Sequence, residues 1–239
     1  LFEASPGKIV LNLLLDALDC RYKELNFVAG YKVDQIKKIF PDVNFFLNTE
    51  WENCGSCGSL FSFDLDISKP LIVSYGDILY RSDLVKKIKE SDSDVAFAWD
   101  STFRSRMSNK KKIKTNHIEK IIIKNNNVLR LGIDIQDDWA DGEFVGLLKF
   151  TPLVLKQIKH LDLEVLKILE KYNLSSLIEY LRSNGIKIEG FDVKGDWVEV
   201  NVSKDIASFI FGTKAETLSR LKRYIKCSII QDQITFNKI

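Results

Sequence analysis

Pro70-Leu71-Ile72-Val73-Ser74-Tyr75-Gly76-Asp77 is the stretch on which the fold turns. An apolar run of strand length without alternation reads as a strand buried on both faces, and this one runs straight into a glycine and a carboxylate. Working outward, the same pattern recurs with helices between. Upstream, residues 11–18 carry an apolar helical face, residues 26–30 read as a short strand closing on Gly30, residues 33–40 have helical spacing and stop at Pro41, and residues 43–47 read as a strand. Downstream, residues 82–89 predict an amphipathic helix with Ser82 or Asp83 as its N-cap, and residues 94–99 another buried strand. Alternating strands and helices predict an α/β fold with a mostly parallel sheet flanked by helices.

The later part of the chain breaks that rhythm. Residues 118–124, the Asn125-Asn126-Asn127 turn and residues 128–135 predict a hairpin, followed by a strand over 144–150, so a small antiparallel insert is expected. Residues 163–172 and 175–184 read as helices, the second closed by Gly185, and residues 186–193 and 197–200 return to strand. Two last helices are expected over 204–211 and 215–225. The chain is thus expected to be one domain over 1–225, with 226–239 as a tail or linker.

Composition narrows the function classes. With 45% of its 239 residues hydrophobic and only 12 Gly and 4 Pro, the chain can bury a core and is not extended disorder. Its 35 Lys and Arg nearly cancel 33 Asp and Glu, so no broad basic field exists for nucleic acid, and any anion must be held locally. No apolar run approaches the ~18–20 residues of a membrane span, so no membrane insertion is expected. Cys20, Cys54, Cys57 and Cys227 are too few for a disulfide scaffold, and without a secretory signal a reducing cytoplasm is the expected location.

In an α/β sheet, ligands bind beyond the carboxyl ends of the strands. Asp77 stands at such an end, where it either meets a hard cation or caps the helix near Ser82. Strand alternation in Gly195-Asp196-Trp197-Val198-Glu199-Val200-Asn201 puts Trp197, Glu199 and Asn201 on one face, and a carboxylate there calls for a partner such as a divalent ion shared with Asp77. Cys54-Gly55-Ser56-Cys57 has the spacing of half a zinc or redox motif. The other cysteines, His117 and His160 supply no paired spacing, which favours a Gly- and Ser-rich loop. Lys110-Lys111-Lys112 reads as a solvated loop, and Trp99-Asp100 ends a strand where it either faces a pocket or packs.

An ordered set of short motifs runs through almost the whole chain. They are Pro6-Gly7-Lys8, Val28-Ala29-Gly30-Tyr31-Lys32, Asn48-Thr49-Glu50-Trp51, Gly55-Ser56-Cys57-Gly58-Ser59-Leu60, Ser74-Tyr75-Gly76-Asp77-Ile78-Leu79, Trp99-Asp100, Gly142-Glu143-Phe144-Val145-Gly146-Leu147, Lys149-Phe150 and the segment from Gly195 to Asn201. Together they resemble the nucleotidyltransferase family of the sugar-phosphate and choline-phosphate type, most closely the cytidylyltransferases that activate phosphonates and related phosphorylated head groups.

The resemblance implies a Rossmann-like, GT-A-like sheet that binds a nucleoside triphosphate, CTP foremost, with Mg²⁺ on Asp77 and Glu199 helped by Asn201. It implies Gly55, Ser59, Tyr75 and Gly76 on the nucleotide and Trp99, Asp100, Glu143 and Lys149 on the acceptor side. Lys149 would take the acceptor phosphate as it attacks the α-phosphorus and pyrophosphate leaves. Such a transfer needs positioning and charge neutralisation more than covalent help. The expected product is a CDP-linked small molecule for a surface polysaccharide or lipid, with phosphocholine, aminoethylphosphonate and phosphoglutamine as acceptors that fit. The alternatives are a sugar-1-phosphate uridylyl- or guanylyltransferase and a non-catalytic nucleotide-binding regulatory domain. In the family, a Gly-rich phosphate loop with an Arg lies upstream of the stretch that Leu1-Phe2-Glu3 matches, so a segment ahead of Leu1 is expected. Residues 211–218, continuing through Ile225, look like the end of such domains in bifunctional proteins, which points to a fused or associated kinase or phosphotransferase.

Overall fold

The computed structural model describes residues 3–5, 8–108, 117–125, 127–201, 205, 206 and 209. The lysine run at 110–112, residues 211–218, the helix expected over 215–225 and the tail over 226–239 lie outside them, as does most of the helix expected over 204–211.

A ribbon of β1 (Glu3–Ser5) and β2 (Lys8–Ile9) leads into α1 (Val10–Leu18), where Val10, Leu11, Leu14, Leu15 and Leu18 recur at helical spacing and are buried. β3 (Asn26–Ala29), α2 (Val33–Ile39) and β4 (Asn44–Leu47) then form a parallel βαβ unit, in register from Asn26 opposite Asn44 to Ala29 opposite Leu47. α3 (Ser56–Phe61) occupies what the sequence suggests is a loop; its Gly and Ser content hides a helix whose inner face is Cys57 and Leu60.

The stretch that opened the sequence reading is β5 (Leu71–Ser74), and it is followed by β6 (Ile78–Tyr80), α4 (Ser82–Glu90) and β7 (Val95–Asp100). The cap of α4 falls one residue earlier than Ser82, the first of the expected caps. Arg81 holds the N-cap position, and its guanidinium is turned away to Asp196 (3.0 Å) and the Phe209 carbonyl (2.8 Å). After α5 (Phe103–Ser108) come the expected insert, a hairpin of β8 (Lys120–Lys124) and β9 (Asn127–Gly132), and then β10 (Gly142–Phe150). Helices α6 (Pro152–Lys159), α7 (Leu163–Leu169) and α8 (Leu174–Ser183) precede β11 (Ile188–Asp192) and β12 (Trp197–Glu199). α8 closes as expected. Gly185, at φ +83°, donates to Arg182 O, and Ile186 donates to Leu181 O, the paired bonds of a left-handed helix stop.

β10 is the centre of a six-stranded mixed sheet. All nine of its residues are buried. It pairs antiparallel with β7 on one edge; on the other it meets β8 at Glu143 and β5 from Leu147 to Phe150. β5, β7 and β11 therefore point one way, with β10 reversed among them. Helices cover both faces: Ala96, Ala98 and Leu147 pack with α1 and α4, while Val95, Phe97 and Phe150 pack with α3, α6 and α8. Burial on both faces is why β7 is apolar from Val95 to Trp99. Phe27 of β3 and Ile72 of β5 pack on the same core, yet among the described residues no ladder joins β3 to β5.

Candidate active site

The carboxyl ends of β5, β7 and β11 lie at one end of the sheet, together with the Gly142 end of β10. Past β5, the Tyr75 N–H still bonds Gly146 O (2.9 Å), and then Gly76 and Asp77 emerge exposed. A Cβ placed on Gly76 would meet nothing within 4 Å, so the backbone there is open to a ligand. β6 pairs antiparallel with β12, with Glu199 opposite Ile78, and the ladder extends through Val200 N–H to Asp77 O (2.7 Å). Asp77 and Glu199 are thus diagonal neighbours on adjoining strands. The pleat turns them to alternate faces. Asp77 does not cap α4.

The face expected for Trp197, Glu199 and Asn201 runs only from Trp197 to Glu199, which pair with Tyr80 and Ile78, because the strand ends before Asn201. β12 ends at Glu199; Trp197 is buried, whereas Glu199 and Asn201 are exposed, and the Asn201 N–H bonds Asp205 Oδ2 (2.9 Å). Among the described residues, no three or more His, Cys, Asp or Glu are grouped to hold a metal. A magnesium ion carrying a triphosphate asks for only one or two protein carboxylates; exposed Asp77 fits that demand by itself, since Glu199 is turned to the other face.

Asp100 is a correction. It is fully buried and its oxygens are already in use: Oδ1 accepts from Thr102 N (2.9 Å), Thr102 Oγ1 (2.8 Å) and Gly195 N (2.8 Å), and Oδ2 from Trp197 Nε1 (2.9 Å). It locks the 193–197 turn, where Lys194 and Gly195 have positive φ, onto the end of β7. Trp99 also packs rather than facing a pocket, since a Cβ on Gly142 would come 2.5 Å from its ring. Glu143 lies in register with Asp100 on one side and Lys120 on the other.

Lys149 is the larger correction. It lies six residues further along β10 than Glu143, roughly 20 Å of strand away, in register with Ala96 and Ile72 near the amino ends of β7 and β5. It is 4% exposed, and its ammonium donates to Ser91 O. Ser91 lines an open cavity of about 520 Å³ at that far end, together with Lys87, Lys187 and Glu189. Because the β10 side chains are all buried, the sequence could not show which end of the sheet each one serves.

The expected nucleotide residues are brought close together but are partly committed. Gly55 N–H donates to Glu170 O (2.7 Å), and Ser59 Oγ accepts from Asn48 Nδ2 (3.1 Å). The Tyr75 hydroxyl donates to Glu119 Oε1 (2.7 Å) and meets Ser56 Oγ (3.0 Å), its pKa pushed up by burial and by the Glu119 charge. Burial likewise raises the Glu119 carboxyl. Cys57 is buried, donates to Asn173 O (3.1 Å) and is pushed up to about 12, an inert thiol. Trp51 stacks tilted against Tyr31 at 5.6 Å, Trp139 is exposed, and among the described residues no ring contact gathers Trp51, Trp99 and Trp139 into a cage. Sequence reading missed Glu119, because an acid before an apolar strand looks like a solvated charge. Gly146 was the available signal, a glycine inside a strand that marks a bulge.

No family model matches the chain. It is 22% identical over 218 residues to the CTP:phosphoglutamine cytidylyltransferase of Campylobacter jejuni, covering 84% of this chain and 86% of that protein. Among solved structures it resembles the inositol-1-phosphate CTP transferase of T. maritima, with TM-score 0.60 and 17% identity over 91% of this chain and 85% of that one. A structure described as a Bacillus anthracis glucose-1-phosphate thymidylyltransferase follows, with TM-score 0.57 and 11% identity over 88% and 82%. The resemblance read from the motifs and the α/β fold with helices on both faces are borne out.

Proposed function

We propose that this chain is a cytidylyltransferase that couples CTP to a small phosphorylated acceptor, giving a CDP-linked product and pyrophosphate. What carries the reading is the chain-long likeness to a CTP-using enzyme, combined with an exposed carboxylate, Asp77, just past the carboxyl end of a half-buried strand. Asp77 would hold Mg²⁺, with phosphate and water oxygens completing the ion's shell, and the ion, when bound, would supply neutralising charge for the triphosphate. The chain's own part is positioning. Gly76 lets the backbone approach the phosphates, and the Asp100 lock on the 193–197 turn keeps β12 beside β6, where the Val200 N–H holds the Asp77 backbone. The acceptor phosphate must be met at this same end of the sheet, which removes Lys149 and leaves Glu143 as the acceptor-side candidate, suited to a cationic or amide group.

Among the described residues no helix is long and apolar enough to cross a membrane. We place the enzyme in the cytoplasm, in the synthesis of a decorated surface polysaccharide or lipid. The test is to supply CTP, UTP, GTP and ATP against phosphoglutamine, phosphocholine, aminoethylphosphonate and sugar-1-phosphates, reading pyrophosphate. CTP with a non-sugar acceptor is expected. Preference for UTP or GTP with a sugar phosphate overturns it, and nucleotide binding without turnover makes the chain a regulatory domain.

A further inference from the structure

Glu119 is not needed for the chemistry proposed above, yet it bonds one segment beside the site and, through Tyr75, reaches a second. Its backbone carbonyl accepts from Phe144 N–H (2.7 Å), which fixes it to the sheet. Its side chain turns inward, with Oε1 accepting from the Tyr75 hydroxyl (2.7 Å) and Oε2 from the Ser175 N–H (3.0 Å). The Tyr75 hydroxyl meets Ser56 Oγ (3.0 Å), and that oxygen accepts from the Leu174 N–H (2.9 Å). One buried carboxylate therefore joins the end of β5, the start of α3 and the start of α8, satisfying with Ser56 two of the first N–H groups of α8. Gly146, at φ +91°, leaves the space that the Tyr75 ring fills.

We propose that Glu119 is a positioning residue of the nucleotide site: through Tyr75 and Ser56 it holds the 75–77 segment and the 54–59 segment in one fixed relation, so that both meet the same nucleotide. This rests on the nucleotidyltransferase reading. An ionised carboxylate accepts from both donors, whereas a protonated one sets a hydrogen against one of them, and a bond in the chain must rearrange. Burial favours the protonated form, so the junction loosens on the acid side. The titratable groups that face Glu119 are Tyr75 and Cys57; the thiol is raised to about 12 and the phenol also upward, so neither changes charge near neutrality.

The experiment uses the intact protein, with E119Q and Y75F, and measures CTP affinity against pH by calorimetry and amide exchange at Leu174 and Ser175 by NMR. Y75F keeps the ring on Phe144 and removes only the hydroxyl, so it carries the test if E119Q does not fold. The expected result is about a tenfold weaker CTP affinity in either variant. Wild-type affinity should fall on acidification beyond the titration of CTP itself, and E119Q should lose that extra fall. Wild-type affinity and an unchanged pH dependence in both variants overturn the proposal. If the wild type binds no nucleotide, the functional reading fails separately. Exchange then decides the network: joint loss of protection at Leu174 and Ser175 in Y75F supports the coupling, and full protection overturns it.

Discussion

The two ends of β10 both bury charge, and they bury it differently. At the Gly142 end, the Asp100 and Glu119 carboxylates accept hydrogen bonds from backbone amides, hydroxyls and an indole, and the loops they tie down present exposed Gly76, Asp77 and Glu199. At the Phe150 end, Lys149 donates to one carbonyl, while Ser91 and Ser93 bind Glu189 nearby (2.5 and 3.3 Å). The first end spends its buried acids on shaping loops around open groups; the second ties strand starts to the end of α4. A buried charge is therefore a poor marker of a site by itself. What marks the site is buried charge that orders loops next to exposed, uncommitted groups.

The sharpest way to break this contrast is Asp77→Asn. Pyrophosphate release should fall on the order of 10³-fold, about 4 kcal/mol of barrier, with the fold intact by circular dichroism. Near-normal turnover would move the site elsewhere. Asp100→Ala should instead act on folding: Gly195 N–H and Trp197 Nε1 lose their acceptor, and stability should drop by about 3 kcal/mol in urea unfolding. A stable Asp100→Ala protein would mean that the 193–197 turn does not depend on this lock.

Gly146→Ala is a smaller perturbation at the same end. A Cβ there needs an unfavourable φ and runs into the Tyr75 ring, so a loss of about 2 kcal/mol is expected, with weakened CTP binding alongside. At the other end, Lys149→Met should change stability by about 1 kcal/mol and leave turnover per folded molecule within about threefold. Selective loss of acceptor use without destabilisation would return Lys149 to the active site.

The last prediction concerns acidity. The Glu119 carboxyl is raised above its ordinary 4.5 by burial, so in the window between that value and the native one the folded state holds the extra proton. Stability should fall as pH rises through this window, and Glu119→Gln should flatten that slope in denaturant titrations at several pH values. An identical slope in both proteins would mean that the Glu119 carboxyl is not raised in the native state.

Periodicity in the chain was enough to place most of the regular elements. Continuous apolar runs at β5 and β7, the helical face of α1 and the glycine stop of α8 depend on local spacing and local backbone freedom, and their positions agree with the reading to within a few residues. Gly76-Asp77 was legible for the same reason, because a glycine and an acid directly after an apolar strand have to emerge at its carboxyl end. The direction and neighbours of β10 were not legible. Each of its residues is buried, so no alternation records which end Glu143 or Lys149 occupies; that was decided by pairing with β5, β7 and β8, which brings together residues up to 79 positions apart. The duty of each acid was likewise tertiary. Asp77, Asp100 and Glu119 are chemically similar groups, and what separates one open to solvent from two that tie loops together is the set of donors that distant segments bring to them.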